Sequence, residues 1–121
     1  MTTEKEWTTE AGLKATVIAT PMGHRCGYVG VPAGHPMYGK HYDEVEVDVH
    51  GGLTYSELDD GLWTFGYDCA HWDDAKDPAL MSDEYKKVFG EAARWGGSVI
   101  RTLEFCVAEC ESLAKQLEEM K

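Results

Sequence analysis

The chain has no apolar run approaching the roughly 20 residues that a membrane span needs, although 43% of its 121 residues are hydrophobic. Its first residues, Met1-Thr2-Thr3-Glu4-Lys5-Glu6, lack the basic-then-apolar order of a signal peptide, so a cytoplasmic location with no membrane partner is expected. Basic residues are scarce: 11 stand against 22 acids, for a net charge of -11. Such a field repels phosphate at long range and disfavours a broad non-specific hold on nucleic acid or anionic lipid. The four cysteines, at 26, 69, 106 and 110, include no Cys-x-x-Cys pair, and a reducing cytosol keeps them as thiols. Cys106 and Cys110 stand one helical turn apart and could in principle supply two zinc ligands. Free cysteines more often serve as small core hydrophobes, so neither a metal nor another cofactor is expected. Phosphate-loop and dinucleotide fingerprints are also missing, because Gly23, Gly27 and Gly30 do not sit between a strand and a helix at the required spacing.

What is present fits one domain over residues 1–121, long enough to bury a real core without staples. Residues 14–20 and 26–31 read as two β-branched strands that pair across a Met22-Gly23 turn. In residues 44–50, Val45, Val47 and Val49 alternate with Glu44, Glu46, Asp48 and His50, the period of a strand with one wet face. Gly51-Gly52 then turns the chain into a strand at 53–56, and Asp59-Asp60-Gly61 turns it again into an aromatic-rich strand at 62–68. Residues 73–77 are acidic and turn-like, and Pro78 can open a short helix toward Phe89. Ser98 is a fitting N-cap for a long helix to Glu119, in which Val99, Leu103, Cys106, Cys110, Leu113 and Leu117 form one apolar stripe. The stripe suits either a coiled-coil seam, which keeps a homo-oligomer open, or a helix laid across a small sheet, which a chain this short favours. The expected fold is α+β: a small antiparallel sheet packed by a long C-terminal helix and a shorter preceding one.

Charge placement is the most informative pattern. Residues 11–42 contain no acid, while residues 43–121 carry nineteen acids and seven bases. The acid-free stretch holds Lys14, Arg25 and Lys40, three of the five histidines (His24, His35, His41) and six of the thirteen glycines. Glycine lets backbone N–H groups approach a ligand, histidine and arginine donate to anions, and missing carboxylates remove repulsion. The combination reads as an anion site drawing on His24, Arg25, His35, Tyr38 and Lys40. A buried hairpin followed by a tight loop would exclude carboxylates equally well, through desolvation.

A second constellation, His50-Gly51-Gly52 and Asp68-Cys69-Ala70-His71, falls at the ends of two expected strands. Imidazole moves protons near neutral pH and a carboxylate can fix its tautomer, so His50, Asp68 and His71 form a candidate acid–base set or a set of polar ligand contacts. Tyr28, Tyr38, Tyr55, Trp63, Phe65 and Tyr67 offer rings to stack on a base, or to fill a core.

The blocks at 24–32 (HRCGYVGVP), 34–39 (GHPMYG), 48–56 (DVHGGLTYS) and 66–71 (GYDCAH) together resemble a family of short accessory proteins encoded in tailed phages and prophages. That resemblance implies a viral protein acting in the host cytoplasm, with no reaction established for the family. Small phage proteins of this kind often act against host defence, and some sequester or destroy nucleotide signals. The leading expectation is therefore a non-enzymatic domain binding a small anionic, nucleotide-like ligand through His24, Arg25, His35, Tyr38, Lys40, His50, Gly51, Gly52, Asp68 and His71. Two alternatives are a hydrolase of such a ligand that uses His50, Asp68 and His71, and an acidic protein-interaction module.

Overall fold

A computed structural model describes residues 1–89 and 99–121. Seven strands, two α-helices and one 3-10 turn (Tyr42–Glu44) are assigned among them: β1 (Thr2–Thr8), β2 (Lys14–Ala19), β3 (Arg25–Val31), β4 (Tyr55–Asp59), β5 (Leu62–Asp68), β6 (Asp74–Ala75), α1 (Asp83–Phe89), β7 (Val99–Ile100) and α2 (Leu103–Glu119). The first five form one antiparallel sheet in the order β1-β2-β3-β5-β4, and α2 lies across β2 and β3, giving the expected α+β architecture. Val17, Val29, Val31, Phe65 and Tyr67 project from one face of the sheet to meet Cys106, Cys110, Leu113, Ala114 and Leu117 of the helix. Tyr67 buries its ring there and satisfies its hydroxyl by donating to the Cys106 carbonyl at 2.8 Å. The cysteines of α2 thus occupy the core, with no group of three or more metal-ligating side chains among the described residues.

The helix begins later than the sequence suggests. Thr102, not Ser98, is its N-cap and accepts from the Phe105 N–H at 3.1 Å; Ser98 lies outside the described residues. Val99 leaves the stripe and pairs in parallel with Asp74 as part of the two-stranded β6–β7 ladder. That pairing also gives the 73–77 stretch strand character that its acidity concealed. Pro78 precedes a turn, and α1 starts only at Asp83.

The alternating segment at 44–50 is the main correction, since it joins no ladder. Its alternation is physically real, because Val45 and Val49 enter the core while Glu46 and Asp48 face water. Backbone partners come from helix side chains instead of a strand. Gln116 accepts from the Asp48 N–H at 2.7 Å and donates to the Asp48 carbonyl at 2.8 Å, and Glu109 accepts from the His50 N–H at 2.9 Å. A period of two reports extended, half-buried backbone, and leaves open what satisfies that backbone. The strand expected at 53–56 is also displaced, to Tyr55–Asp59.

In the main sheet one strand has no counterpart in the sequence reading. Strand β1 is polar apart from the half-buried Trp7 and pairs with β2 through a bulge between Thr3 and Lys5. Glu4 is the extra residue, and its carboxylate reaches the buried Arg25 guanidinium at 2.6 Å. Bulges commonly re-aim one side chain in this way. Here the result is an irregular burial pattern that neither periodicity template detects.

Candidate functional site

The acid-free stretch divides along β3, whose two ends carry different halves of the expected anion site. At its far end His35 is buried and neutral by its bonding. Its Nδ1 accepts from the Met37 N–H at 3.0 Å, so its Nε2 is the donor to the Leu117 carbonyl at 2.9 Å. Tyr38 packs beside Trp63, with ring centroids 6.2 Å apart, and the indole donates to the Lys40 carbonyl at 2.8 Å. The Lys40 backbone has a structural partner while its side chain is exposed.

At the near end, Arg25 is 7% exposed and already bound on several sides. Its guanidinium donates to Glu4, to Asp77 at 3.2 Å and to the Arg101 carbonyl at 3.1 Å. Burial works against its charge, but Glu4 and Asp77 outweigh that and hold it firmly protonated. Arg25 is therefore a structural tie between β1, β3 and the start of α2. Its neighbour His24 is pushed below the usual imidazole value by half-burial, against the opposing pull of Asp68.

The chain brings together His50, His71 and Asp68, with Gly51 beside them, all named by the sequence, and His24 lies close enough to feel the charges of Asp68 and Asp74. The chain adds a residue that the sequence did not single out, Asp74. This carboxylate has a side chain only 1% exposed and accepts from His50 Nε2 at 2.9 and 3.0 Å, from the His71 backbone N–H at 3.0 Å and from Arg101 Nε at 2.7 Å. Burial disfavours its ionisation, yet the donors from Arg101, His50 and His71 prevail and hold its carboxyl below the usual aspartate value. Arg101 also reaches Asp73 at 3.1 Å and lies over the Phe105 ring at 5.0 Å. The His50 ring is edge-on to Phe105 and to His71, at centroid distances of 5.4 and 5.5 Å. Asp74 thus joins the 45–54 segment, the loop after β5 and the entry to α2.

His71 is held differently. Its Nε2 lies 3.5 Å from Asp68 Oδ1, out of line for a hydrogen bond, and this buried nitrogen has no hydrogen-bond partner in the structure. Asp68 itself receives the Thr54 hydroxyl at 3.0 Å and the Ala70 N–H at 3.1 Å. The His71 ring rests against Gly51, where φ is +69° and where a Cβ would overlap the imidazole. Gly51 is therefore required both by its left-handed backbone and by the ring above it. Gly52, with φ of +79°, has open space where a side chain would stand and completes the turn. Nearby Cys26, pushed up to about 11 by burial, is a thiol at neutral pH and not a thiolate nucleophile.

The structure therefore brings together His24, His50, Gly51, Asp68 and His71, and separates them from His35, Tyr38 and Lys40. Phe105, which His50 touches, and Leu117, which His35 touches, are twelve residues apart on α2, or about 18 Å of helix. Of the residues missed, Asp74 was hidden in a stretch read as a turn. Arg101 stands just before the helix cap, and its link to Asp74 depends on a ladder that spacing does not announce. Compared with known proteins, the chain matches no family model, no curated protein and no solved structure.

Proposed function

We propose that the protein is a binding domain for a small anionic, nucleotide-like ligand, which it meets where His24, His50, Asp68 and His71 converge. The observation that carries this reading is the buried His71 Nε2 without a partner, because a polar atom removed from water without a hydrogen bond calls for an explanation and a ligand supplies one. Imidazole nitrogens donate hydrogen bonds to anionic oxygens, and Asp68 is an acceptor for a ribose hydroxyl or a base amino group. The resemblance to phage accessory proteins gives this chemistry a setting: a protein that withdraws a nucleotide signal in the host cytoplasm.

One observation favours a second reading, hydrolysis of the same ligand. The Asp74–His50 hydrogen bond turns Nε2 to the carboxylate and leaves Nδ1 as the ring position that a general base would use. The two readings separate in one experiment. Mononucleotides, cyclic dinucleotides and ADP-ribose are titrated calorimetrically at pH 6 and pH 8, and the bound ligand is recovered after denaturation and weighed by mass spectrometry. Binding predicts tighter association at pH 6, intact ligand, and a loss of about 1–3 kcal/mol of affinity in His71→Ala. Recovery of cleaved ligand would establish the hydrolase, and absence of binding by every compound at both pH values would remove the proposal.

A further inference from the structure

The face of the sheet turned away from α2 carries a second feature with the opposite charge preference. Residues on this face alternate with those of the core, so Lys14, Thr16 and Ile18 of β2 stand beside Tyr28 and Gly30 of β3, Leu62 and Thr64 of β5, and Tyr55 of β4. Together with the β4–β5 turn and β1 they line a depression of about 360 Å³. That is the size of a small-molecule site.

Register explains the floor. Thr16, Tyr28, Gly66 and Tyr55 form one cross-strand row. Gly66 contributes no side chain, and a Cβ there would come within 2.6 Å of the Tyr28 ring. Tyr28 can therefore lie across the sheet to meet Tyr55 edge-on at a centroid distance of 5.2 Å. The result is a pair of half-exposed aromatic rings, flanked by Ile18 and Leu62, on a face that no element of the described residues covers.

Charge at the rim is one-sided. Glu6, Asp59 and Asp60 border the depression, and the sole base in its lining, Lys14, is bound to Glu6 at 2.7 Å. Glu6, followed by Asp60 and Asp59, raises the Lys14 ammonium above its ordinary value, so one fixed cation is shared among three carboxylates. Two negative charges remain without a counter-ion beside two tyrosine rings, whose faces attract cations. We propose that this face binds a small organic cation, an ammonium group on an aromatic or aliphatic body, with the ammonium among Glu6, Asp59 and Asp60 and the body on Tyr28 and Tyr55. The site is separate from the histidine cluster and goes beyond the anion-binding reading.

The test uses the full chain in 0.15 M salt, titrated with benzyltrimethylammonium and, separately, with benzyl alcohol and benzoate, while tyrosine ring signals are followed by NMR. The cation should shift the Tyr28 and Tyr55 signals saturably, at least tenfold more tightly than the alcohol, and benzoate should leave them unmoved. Asp60→Asn, which suits the φ of +50° at that turn, and Tyr55→Leu should each weaken the cation at least threefold. Asp83→Asn/Glu84→Gln, which removes acidic charge from α1 instead, should not. Equal binding of cation and alcohol, equal weakening by the α1 pair, or a Tyr55→Leu protein that folds and binds like the parent would each overturn the proposal. Because no histidine is altered, failure here leaves the nucleotide titrations intact.

Discussion

His35 and His50 both touch α2 and looked alike in the sequence, yet they sit in opposite kinds of surroundings. His35 uses both ring nitrogens on backbone groups, one received and one given, so its imidazole is a fixed connector between the loop after β3 and the end of α2. His50 gives one nitrogen to the Asp74 carboxylate and presents its ring to His71 and Phe105. Each end also holds one unpartnered buried atom, but of different chemistry. Near His35 it is Glu118 Oε1, 3.7 Å from the His35 ring, on a carboxylate whose other oxygen binds Lys121 at 2.9 Å. At the His50 end it is the His71 imidazole nitrogen Nε2, which can serve as donor or acceptor according to its tautomer. A histidine whose nitrogens both meet the backbone is explained by the fold; one that a carboxylate orients beside a second, unsatisfied ring has chemistry left over.

The most severe way to break this comparison is Asp74→Asn. The substitution keeps the shape but removes the charge that Arg101 and His50 face, and hydrogen bonds to charged groups contribute about 1.5–3 kcal/mol. Because Asp74 titrates lower in the folded chain than its ordinary 3.8, its stabilisation is complete above that value and is lost as pH falls through the depressed folded value. Chemical denaturation of parent and variant should therefore differ by about 1.5–3 kcal/mol at pH 7 and converge as pH falls through the depressed folded value. A constant difference down to pH 2 would show that charge is not what Asp74 contributes.

Next in size is His35→Ala, which leaves the Met37 N–H without its acceptor and takes one of two donors from the Leu117 carbonyl, the other being the Met120 N–H at 3.2 Å. Unsatisfied buried groups of this kind cost about 1–3 kcal/mol. The loss should appear in thermal melts with nucleotide affinity unchanged in the folded protein, and a parallel loss of affinity would rejoin the two ends into one site.

How far the sequence carried the architecture depends on which physical property each element expresses. The β2–β3 hairpin and the α2 stripe from Leu103 to Leu117 were legible because burial there follows a single period over most of each element. Segment 44–50 was legible as half-buried but not as unpaired, since alternation is the same whether a strand or Gln116 and Glu109 satisfy the backbone. Strand β1 was illegible because its bulge breaks the period at Glu4. In the site, His50, Asp68 and His71 could be found by residue type at turns, whereas Asp74 and Arg101 meet only through the β6–β7 ladder. Arg25 and His35 illustrate the converse: an acid-free stretch reflects both ligand sites and desolvated structure, and their bonding patterns are what separate the two.

The smallest expected effect on stability sharpens the comparison most. His71→Ala retains the backbone N–H that donates to Asp74 and removes a ring that makes no hydrogen bond, with only the 3.5 Å approach to Asp68 and the edge contact with His50, so stability should change by no more than about 1 kcal/mol. Gly51→Ala should be far more harmful, because its Cβ would overlap the His71 ring and its backbone stands at φ +69°. In the double variant the ring is gone and only the backbone cost remains, about 1–2 kcal/mol for a left-handed non-glycine residue. The cycle therefore predicts strong coupling: the harm of Gly51→Ala is partly relieved in the His71→Ala background. Simple additivity would mean that the two residues do not touch in solution and that the ring is free to leave the cluster. A His71→Ala protein that loses stability as heavily as His35→Ala would show instead that His71, too, is part of the scaffold.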